Sequence, residues 1–246
     1  MDRERRISGA RKLLENAPFS LAEIRLDSDG FKAENLETLA AEVLTRQEQA
    51  IFKNFCFFKR RQEWLGGRVA AKKATGHYPG PAVAPGHPAI LPDENGRPWI
   101  HGDDGARSPL FLSISHSGDL AMAMVAGSVC GIDIQQVTPS AWRVREKFLR
   151  AGEEEACRAS VPLLSEEERA TLLWAAKEAA RKSFLLRPLP AFSAIRLLRC
   201  NARSDGLFLF SFQVEEKNCG EQERRVVAWP MTHAFVALTL SGWMIR

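Results

Sequence analysis

The sequence lacks the features that mark several common protein classes. It has no run of eighteen apolar residues, so a membrane-spanning helix is not expected. It contains neither the GxSxG pattern of a nucleophile elbow nor the glycine-rich patterns of Walker and dinucleotide-binding loops. Its five cysteines are odd in number, and none has CxxC or zinc-ligand spacing. We therefore expect reduced, mostly buried thiols in a cytoplasmic protein without a signal peptide.

The composition is that of an ordinary globular protein. Hydrophobic residues make up 45% and charged residues 26% of the 246 positions, enough for one large domain or two small ones. The net charge of +4 is too small to indicate nucleic-acid binding, but it suits an acidic partner. Basic residues cluster in residues 3–12 and 59–68, where solvated helix faces are the alternative to a binding surface.

The order of helical and strand patterns predicts an α+β fold. Residues 35–76 have a mainly helical pattern, and residues 76–96 are rich in Pro and Gly and predict a long irregular loop. Further helical stretches are predicted at 141–160 and 165–186. Strands are predicted at 111–114, 120–125, 129–137, 194–199, 207–214, 225–229 and 234–240, with the second and third of these forming an antiparallel pair.

A carboxylate interrupts the strand pattern of the segment GIDIQ. Ile132 and Ile134 point to one face, whereas Asp133 and Gln135 point to the other. The isoleucines suit a core, and Asp133 is costly there unless it meets a cation, a metal or several hydrogen-bond donors. The alternative is an edge strand whose polar face lies in water.

The helix that follows carries further charged residues. Ser165 and Glu168 predict a capping box at its start. The later residues Trp174, Lys177, Glu178, Arg181 and Lys182 have the spacing i, i+3, i+4, i+7 and i+8, which predicts one common stripe. A solvated ion pair between Glu178 and Lys182 is the alternative to a functional role.

These two segments together resemble the signature of a known enzyme family. GIDIQ followed by WAAKEAARK, residues 174–182, resembles the motif of 4′-phosphopantetheinyl transferases of the surfactin-synthetase-activating type. NGRP at 95–98, SISHSG at 113–118 and the basic segment KRRQEWLGGRVAAKKA at 59–74 resemble three further elements of that family. Each motif is weak alone, but the five occur in the family's order.

The resemblance implies a particular architecture. Family members consist of two similar α+β halves in one chain, a pseudo-dimer with the active site between the halves. We accordingly predict an N-terminal half, residues 1–128, that contacts the coenzyme A phosphates. The C-terminal half, residues 129–246, is predicted to carry the metal and catalytic residues. A faint internal similarity between the segments after His116 and His233 agrees with a duplication.

The resemblance also implies an activity. Members transfer the 4′-phosphopantetheine arm of coenzyme A to a serine of an apo acyl or peptidyl carrier protein, as holo-[acyl-carrier-protein] synthases do. The reaction depends on Mg²⁺ and releases adenosine 3′,5′-bisphosphate. Coenzyme A and the carrier protein are the expected partners, without nucleic acid or membrane, and we expect a monomer. The alternative is a non-catalytic module that binds coenzyme A or a carrier protein.

Site residues follow from the matched motifs. Asp133 and Glu178 are the expected Mg²⁺ ligands, with Gln135 as a neutral third ligand or a residue that positions water. Glu178, or a metal-bound water that it orients, is expected to accept the serine proton. Lys182 is expected to stabilise or protonate the leaving phosphate, and Lys177 to bind the pyrophosphate. Both lysines are thus also predicted coenzyme A contacts.

Four residues of the N-terminal half are the other predicted coenzyme A contacts. They are Arg60, Arg68, Arg97 and His116, with His116 in a polar turn near the 3′-phosphate. A turn histidine that binds backbone is the alternative for His116.

The chain departs from the family pattern at two places, and one further element stays open. Gln135 replaces a frequent Glu, and residues 185–192 replace a Gly-containing loop. Glu153 and Glu154 resemble another acidic family element, but we favour a solvent-exposed helix start there.

Overall fold

The structure is a computed structural model that describes residues 8–10, 12–13, 18–80, 87–185, 188–214 and 222–241. The chain divides into two compact units. The N-terminal unit is Pro18–Ser128, and the C-terminal unit is Val129–Arg246 together with the residues before Pro18. The functions assigned above to the two halves stay predictions.

The N-terminal unit contains a three-stranded antiparallel sheet with strand order β1-β5-β4. These strands are β1 (Phe19–Arg25), β4 (Phe111–Ser117) and β5 (Leu120–Ala126). Every residue of the central strand β5 is buried, as expected for an apolar run between two neighbours. A separate hairpin is formed by β2 (Ala89–Pro92) and β3 (Pro98–His101).

Helices cover much of residues 35–76, as the sequence predicted. They are α1 (Leu36–Val43), α2 (Arg46–Phe52) and the long helix α3 (Phe58–Gly76). Helix α3 packs on the sheet, and its small residues Ala70, Ala71 and Ala74 are fully buried there. Part of the predicted loop, residues 81–86, lies outside the described residues.

The turn around SISHSG is shorter than predicted. Strand β4 continues to Ser117, which pairs with Leu120, so only Gly118 and Asp119 form the turn. Gly118 has φ +61°, a left-handed conformation that glycine adopts without strain. The expectation that His116 lies in a turn was therefore wrong, because His116 pairs with Ala121 inside the strand ladder.

The C-terminal unit contains a five-stranded antiparallel sheet with order β6-β10-β9-β8-β7. Strand β6 pairs with β10, so the predicted pairing of β6 with β5 was wrong. The four strands predicted after residue 194 are present. The strands are β6 (Cys130–Gln136), β7 (Ile195–Ala202), β8 (Phe208–Val214), β9 (Gln222–Met231) and β10 (Ala234–Leu240).

Among the described residues that follow Val129, the α-helices are α4 (Pro139–Arg143), α5 (Glu153–Ser160) and α6 (Glu166–Lys182). The predicted capping box at the start of α6 is confirmed, since Ser165 and Glu168 each accept a hydrogen bond from the other's backbone N–H. Alanines and leucines bury one face of α6 against the sheet. Across the described residues, we find no helix of the length and apolarity that a membrane span requires.

Candidate active site

Helix α6 approaches strand β6 unusually closely at Gly131. A Cβ atom placed on Gly131 would lie 2.0 Å from the backbone oxygen of Ala179 and 3.0 Å from its carbonyl carbon. Only glycine is compatible with this backbone-to-backbone distance. Gly131 therefore sets the separation at which side chains of α6 meet those of β6.

Asp133 lies two residues further along β6 and is 2% exposed. Its Oδ1 accepts a hydrogen bond of 2.7 Å from Lys182 Nζ, which also donates to the backbone oxygen of Ile132 at 3.0 Å. Its Oδ2 accepts a hydrogen bond of 3.0 Å from Gln135 Nε2. Although β6 is an edge strand of its sheet, its polar face at Asp133 is not open to water, so the solvated alternative is excluded.

Glu178 lies one helical turn before Lys182 and belongs to the same group of charges. Burial raises the pKa of Glu178, the nearby Lys182 lowers it, and the negative charge of Asp133 raises it again. The net direction is upward. Its Oε1 lies 3.6 Å from the guanidinium of Arg181. We call Asp133, Gln135, Glu178 and Lys182 the carboxylate cluster.

The predicted stripe on α6 is in fact two faces. Trp174 packs on Phe148 and Phe192, with ring centroids 4.6 and 6.0 Å apart, rather than near the carboxylate cluster. Arg181 donates to the backbone oxygen of Pro190. Lys177 and Glu178 are adjacent in sequence and therefore point about 100° apart around the helix, which places Lys177 on the face of Trp174 and Glu178 on the face of Lys182.

Lys177 lies on the first of these faces and is fully buried. Its ammonium group donates to the backbone oxygens of Phe148 and Ile195 at 2.8 and 3.0 Å, and to Glu153 Oε2 at 2.5 Å. Burial lowers the pKa of Lys177, although the hydrogen bond to Glu153 opposes the change. The structure therefore does not bring Lys177 to the carboxylate cluster, contrary to the expectation that it binds pyrophosphate.

Glu153 is a buried residue that the sequence analysis misjudged. We expected a solvent-exposed helix start, but Glu153 is 5% exposed. Besides Lys177, its carboxylate accepts hydrogen bonds from the backbone N–H groups of Arg150 and Leu197 at 2.9 and 2.7 Å. The sequence near Glu153 carries no signal of this burial, because its partner Lys177 lies 24 residues further along the chain.

In the N-terminal unit, α3 carries two of the predicted coenzyme A contacts. The guanidinium of Arg68 lies 4.0 Å from the ring centre of Trp64, and that of Arg60 lies 5.5 Å from the ring centre of Phe55. Burial lowers the pKa of Arg68 to about 10, with a further lowering by Arg60 and an opposing effect of Glu48. Arg68 thus stays charged at neutral pH but is incompletely solvated, a state that an anion would relieve.

The other two predicted contacts belong to β4 and to the turn before β3. His116 Nδ1 lies 3.7 Å from Oε2 of Glu63, a residue of α3, so the ring faces the helix that carries the arginines. The backbone N–H of Arg97 donates to Asp93 Oδ1 at 3.0 Å, which fixes the turn. His116 and α3 thus lie close together.

Comparisons with known proteins agree with these motifs. The sequence profile of the 4′-phosphopantetheinyl transferase superfamily matches residues 129–229. A holo-[acyl-carrier-protein] synthase of Streptococcus agalactiae is 37% identical over 95 residues, which cover 37% of this chain and 79% of that protein. The 4′-phosphopantetheinyl transferase HetI of Nostoc sp. is 31% identical over 151 residues, 60% of this chain and 62% of HetI.

A solved structure is also similar to part of the chain. It is a holo-(acyl-carrier-protein) synthase from Bacillus anthracis in complex with CoA (3′,5′-ADP), with 25% identity and a TM-score of 0.37 over 44% of this chain and 93% of that one. The profile match contains the whole carboxylate cluster, and the resemblance found in the sequence motifs is confirmed. The chain belongs to the 4′-phosphopantetheinyl transferase superfamily and is an enzyme that transfers the phosphopantetheinyl group of coenzyme A to a carrier protein.

Proposed function

We propose that the carboxylate cluster is the catalytic centre and that Asp133 and Glu178 hold Mg²⁺ there. The observation that carries the proposal is a buried aspartate that accepts hydrogen bonds from a lysine and an amide and whose charge acts on a second carboxylate, that of Glu178. A structural role alone does not account for Glu178, because its carboxylate is destabilised by burial and by Asp133.

The donor set fits a hard divalent cation. Mg²⁺ is commonly bound through one or two carboxylates, with water and substrate phosphate oxygens completing the octahedron. No three His, Cys, Asp or Glu side chains in the described parts of the chain form a complete metal cage. The cluster therefore suits a metal whose remaining ligands are oxygens of the pyrophosphate. When bound, Mg²⁺ would neutralise the charge that develops on the phosphate oxygens.

Gln135 supports the proposal as a neutral ligand or an orienting group. Its amide nitrogen donates to Asp133 Oδ2 and thereby fixes the direction of that carboxylate. Amide nitrogen and oxygen exchange places by a rotation of the side chain, so the same residue has an oxygen to offer a cation. We expect Gln135→Ala to cost less turnover than Asp133→Ala.

Glu178 has the properties of a general base. The carrier serine must lose its proton as its oxygen attacks phosphorus, and a base is most effective when its pKa is near the working pH. Without metal, burial raises the pKa of Glu178, and a bound Mg²⁺ would favour the ionised form that accepts a proton. The base accepts the proton either directly or through one water molecule.

Lys182 is proposed to stabilise the phosphate group that departs. Its side chain is 26% exposed, so its ammonium reaches the surface of the unit while it binds Asp133. A cation at this position interacts more strongly as negative charge grows on the leaving oxygen. Lys177 is proposed to act differently from the earlier expectation: it fixes α6 from the buried face, and it does not contact phosphate.

Arg60, Arg68, Arg97 and His116 are proposed to bind the phosphates of coenzyme A. The partly desolvated guanidinium of Arg68 is the main support. We also propose a monomeric, cytoplasmic enzyme, in agreement with the free thiols of all four cysteines in the described ranges. Light scattering coupled to size-exclusion chromatography tests the monomer.

The function is tested by incubation of the protein with coenzyme A, Mg²⁺ and a panel of apo carrier proteins. Intact-mass spectrometry should show addition of one phosphopantetheinyl group to a carrier, with adenosine 3′,5′-bisphosphate released. Asp133→Asn and Glu178→Gln should each lose a factor of roughly 100 or more in turnover, consistent with lost transition-state stabilisation. Arg203→Gln, which removes an exposed ion pair with Asp205, is the matched control. Full turnover in excess chelator would contradict the metal assignment.

A further inference from the structure

A buried carboxylate joins three elements of the N-terminal unit. Glu48 of α2 is fully buried, and its Oε1 accepts a hydrogen bond of 3.0 Å from the backbone N–H of Ile90 on β2. Its Oε2 lies 2.8 Å from the ammonium of Lys72 on α3 and accepts a hydrogen bond of 2.9 Å from the backbone N–H of Thr45. Lys72 also donates to the backbone oxygen of Pro88 at 2.6 Å. The two charged side chains therefore tie α2, α3 and the start of the β2–β3 hairpin together.

The C-terminal unit contains the same arrangement. Glu153 accepts hydrogen bonds from Lys177 on α6 and from the backbone N–H of Leu197 on β7. It also accepts one from the backbone N–H three residues before it, that of Arg150. Lys177 donates to the backbone oxygen of Ile195, two residues before the strand N–H, as the lysine of the N-terminal unit does. In both units the carboxylate precedes the lysine by 24 residues. The pair of the N-terminal unit is therefore expected to fix α3 as the other pair fixes α6.

The position of Arg68 depends on the position of α3. Its Nε is buried and has no hydrogen-bond partner within the described residues, and its guanidinium lies over the ring of Trp64 on the same helix. Lys72 follows Arg68 by four residues and therefore shares its side of α3. The negative charge of Glu48 acts on Arg68 as well and favours its protonated form. The contact of Lys72 with Glu48 therefore sets where α3 presents Arg68 relative to the hairpin.

We propose that Glu48 and Lys72 are positioning residues for the binding of coenzyme A. They fix the distance between Arg68 on α3 and Arg97 at the hairpin turn, so that both arginines meet phosphates of one bound molecule. An isolated two-stranded hairpin is only marginally stable in water, so its placement depends on such anchors. A spacing that exists before binding avoids the loss of affinity that ordering two elements would cause. The inference rests on the proposal that these arginines bind coenzyme A.

The test measures kcat and the KM for coenzyme A of Glu48→Gln in the full-length protein at a saturating concentration of carrier protein. Loss of positioning should raise this KM by roughly threefold to tenfold with little change in kcat. The substitution also removes a negative charge near Arg68, so a purely electrostatic role predicts a lower KM for the anionic substrate. A role in stability alone predicts a lower melting temperature and an unchanged KM. A lower or an unchanged KM would therefore overturn the proposal.

A second variant covers the case in which Glu48→Gln fails to fold because the Lys72 ammonium has lost its carboxylate. Glu48→Leu combined with Lys72→Met removes both charges, keeps the net charge and replaces the ion pair by apolar side chains. It should raise the KM in the same way, and an unchanged KM in this variant would overturn the proposal. Glu37→Gln is the matched control and should leave the KM unchanged, because its exposed carboxylate pairs with another arginine of α3, Arg61.

Arg68→Gln separates failure of this inference from failure of the proposed contact. If Arg68→Gln leaves the KM for coenzyme A unchanged, the phosphate contact is wrong and the inference falls with it. If Arg68→Gln raises the KM, addition of Glu48→Gln should raise it by a smaller factor than Glu48→Gln does alone, because the residue that Glu48 positions is gone. Factors that multiply in the double variant would mean that Glu48 does not act through Arg68, and the contact of Arg68 would then stand without the positioning role.

Discussion

Both units pack a long helix against an antiparallel sheet, but glycine lies on opposite partners in the two contacts. In the N-terminal unit the glycine is on the helix: a Cβ at Gly66 of α3 would meet the end of the Leu26 side chain at 2.2 Å. In the C-terminal unit the glycine is on the strand, where Gly131 meets the backbone of α6 at Ala179. A side-chain end can move, whereas a helix backbone cannot, so the second contact is the more rigid.

Charged side chains on the long helices of the two units also have different partners. The arginines of α3 lie over aromatic rings, as Arg68 does over Trp64, and a ring face leaves most guanidinium donors available for a phosphate. The lysines of α6 instead meet buried carboxylates, Lys182 at Asp133 and Lys177 at Glu153. This difference agrees with the proposals that α3 binds the phosphates of coenzyme A and that the carboxylate cluster is the catalytic centre.

The largest effect is expected from a methyl group at the rigid contact. Gly131→Ala should displace α6, cost about 1–3 kcal/mol or more in the free energy of unfolding, and remove most turnover, because Glu178 and Lys182 lose their positions relative to Asp133. Gly66→Ala should be milder, since Leu26 can change its rotamer. Urea unfolding and turnover of both variants measure the difference. Equal losses of turnover would show that the two contacts are equally adaptable.

Loss of the buried ion pair between Glu153 and Lys177 should reduce turnover less than Gly131→Ala does, but it should lower stability strongly. Glu153→Ala leaves the ammonium of Lys177 buried without its carboxylate, which typically costs ~3–5 kcal/mol in the free energy of unfolding. The neighbouring, more exposed Glu154 is the matched control: Glu154→Ala removes contacts with Arg158 and Arg145 and should cost less than about 1 kcal/mol. If both variants unfold at the same urea concentration, the Glu153–Lys177 pair does not support α6.

The proposed contact of Arg68 with coenzyme A is tested by comparing coenzyme A with 3′-dephospho-coenzyme A as substrates. Arg68→Gln should raise the KM for coenzyme A by roughly tenfold, as expected for loss of one charge-assisted hydrogen bond, with little change in kcat. With 3′-dephospho-coenzyme A the variant and wild type should have similar KM values if Arg68 binds the 3′-phosphate. Arg61→Gln is the matched control, because Arg61 lies on the same helix but pairs with Glu37. An equal rise in KM for both substrates would mean that Arg68 stabilises the fold and does not bind the 3′-phosphate.

The sequence was sufficient for much of this picture, since periodicity and capping identified α6 and the strands of the C-terminal sheet. The motif GIDIQ identified Asp133, because a carboxylate in an apolar strand must have a partner. Three features required coordinates. Strand pairing is non-local, so β6 was joined to the wrong neighbour. Adjacent helix positions point in different directions, so Lys177 was assigned to the wrong face. Glu153 was called exposed because its partner is distant in sequence.

The smallest effect, and the sharpest test of Glu178 as the base, is a shift in the pH dependence of turnover. Glu178 must be ionised to accept a proton, so kcat should fall as the pH drops through its pKa. The Arg181 guanidinium lowers the pKa of Glu178 and so favours the charged form. Arg181→Gln should therefore move the acidic limb of the kcat profile to higher pH and reduce kcat only below that limb.

The control for this shift is Arg203→Gln, which removes a cation of the same unit whose partner is Asp205. It should leave the acidic limb unchanged, because the charge it removes is bound elsewhere. A limb that moves to lower pH in Arg181→Gln would mean that the titrating group is not Glu178, because loss of a nearby positive charge raises the pKa of a carboxylate. An unchanged limb would show that the base does not interact with Arg181. In that case the rigid contact at Gly131 would position a residue other than Glu178 for proton transfer.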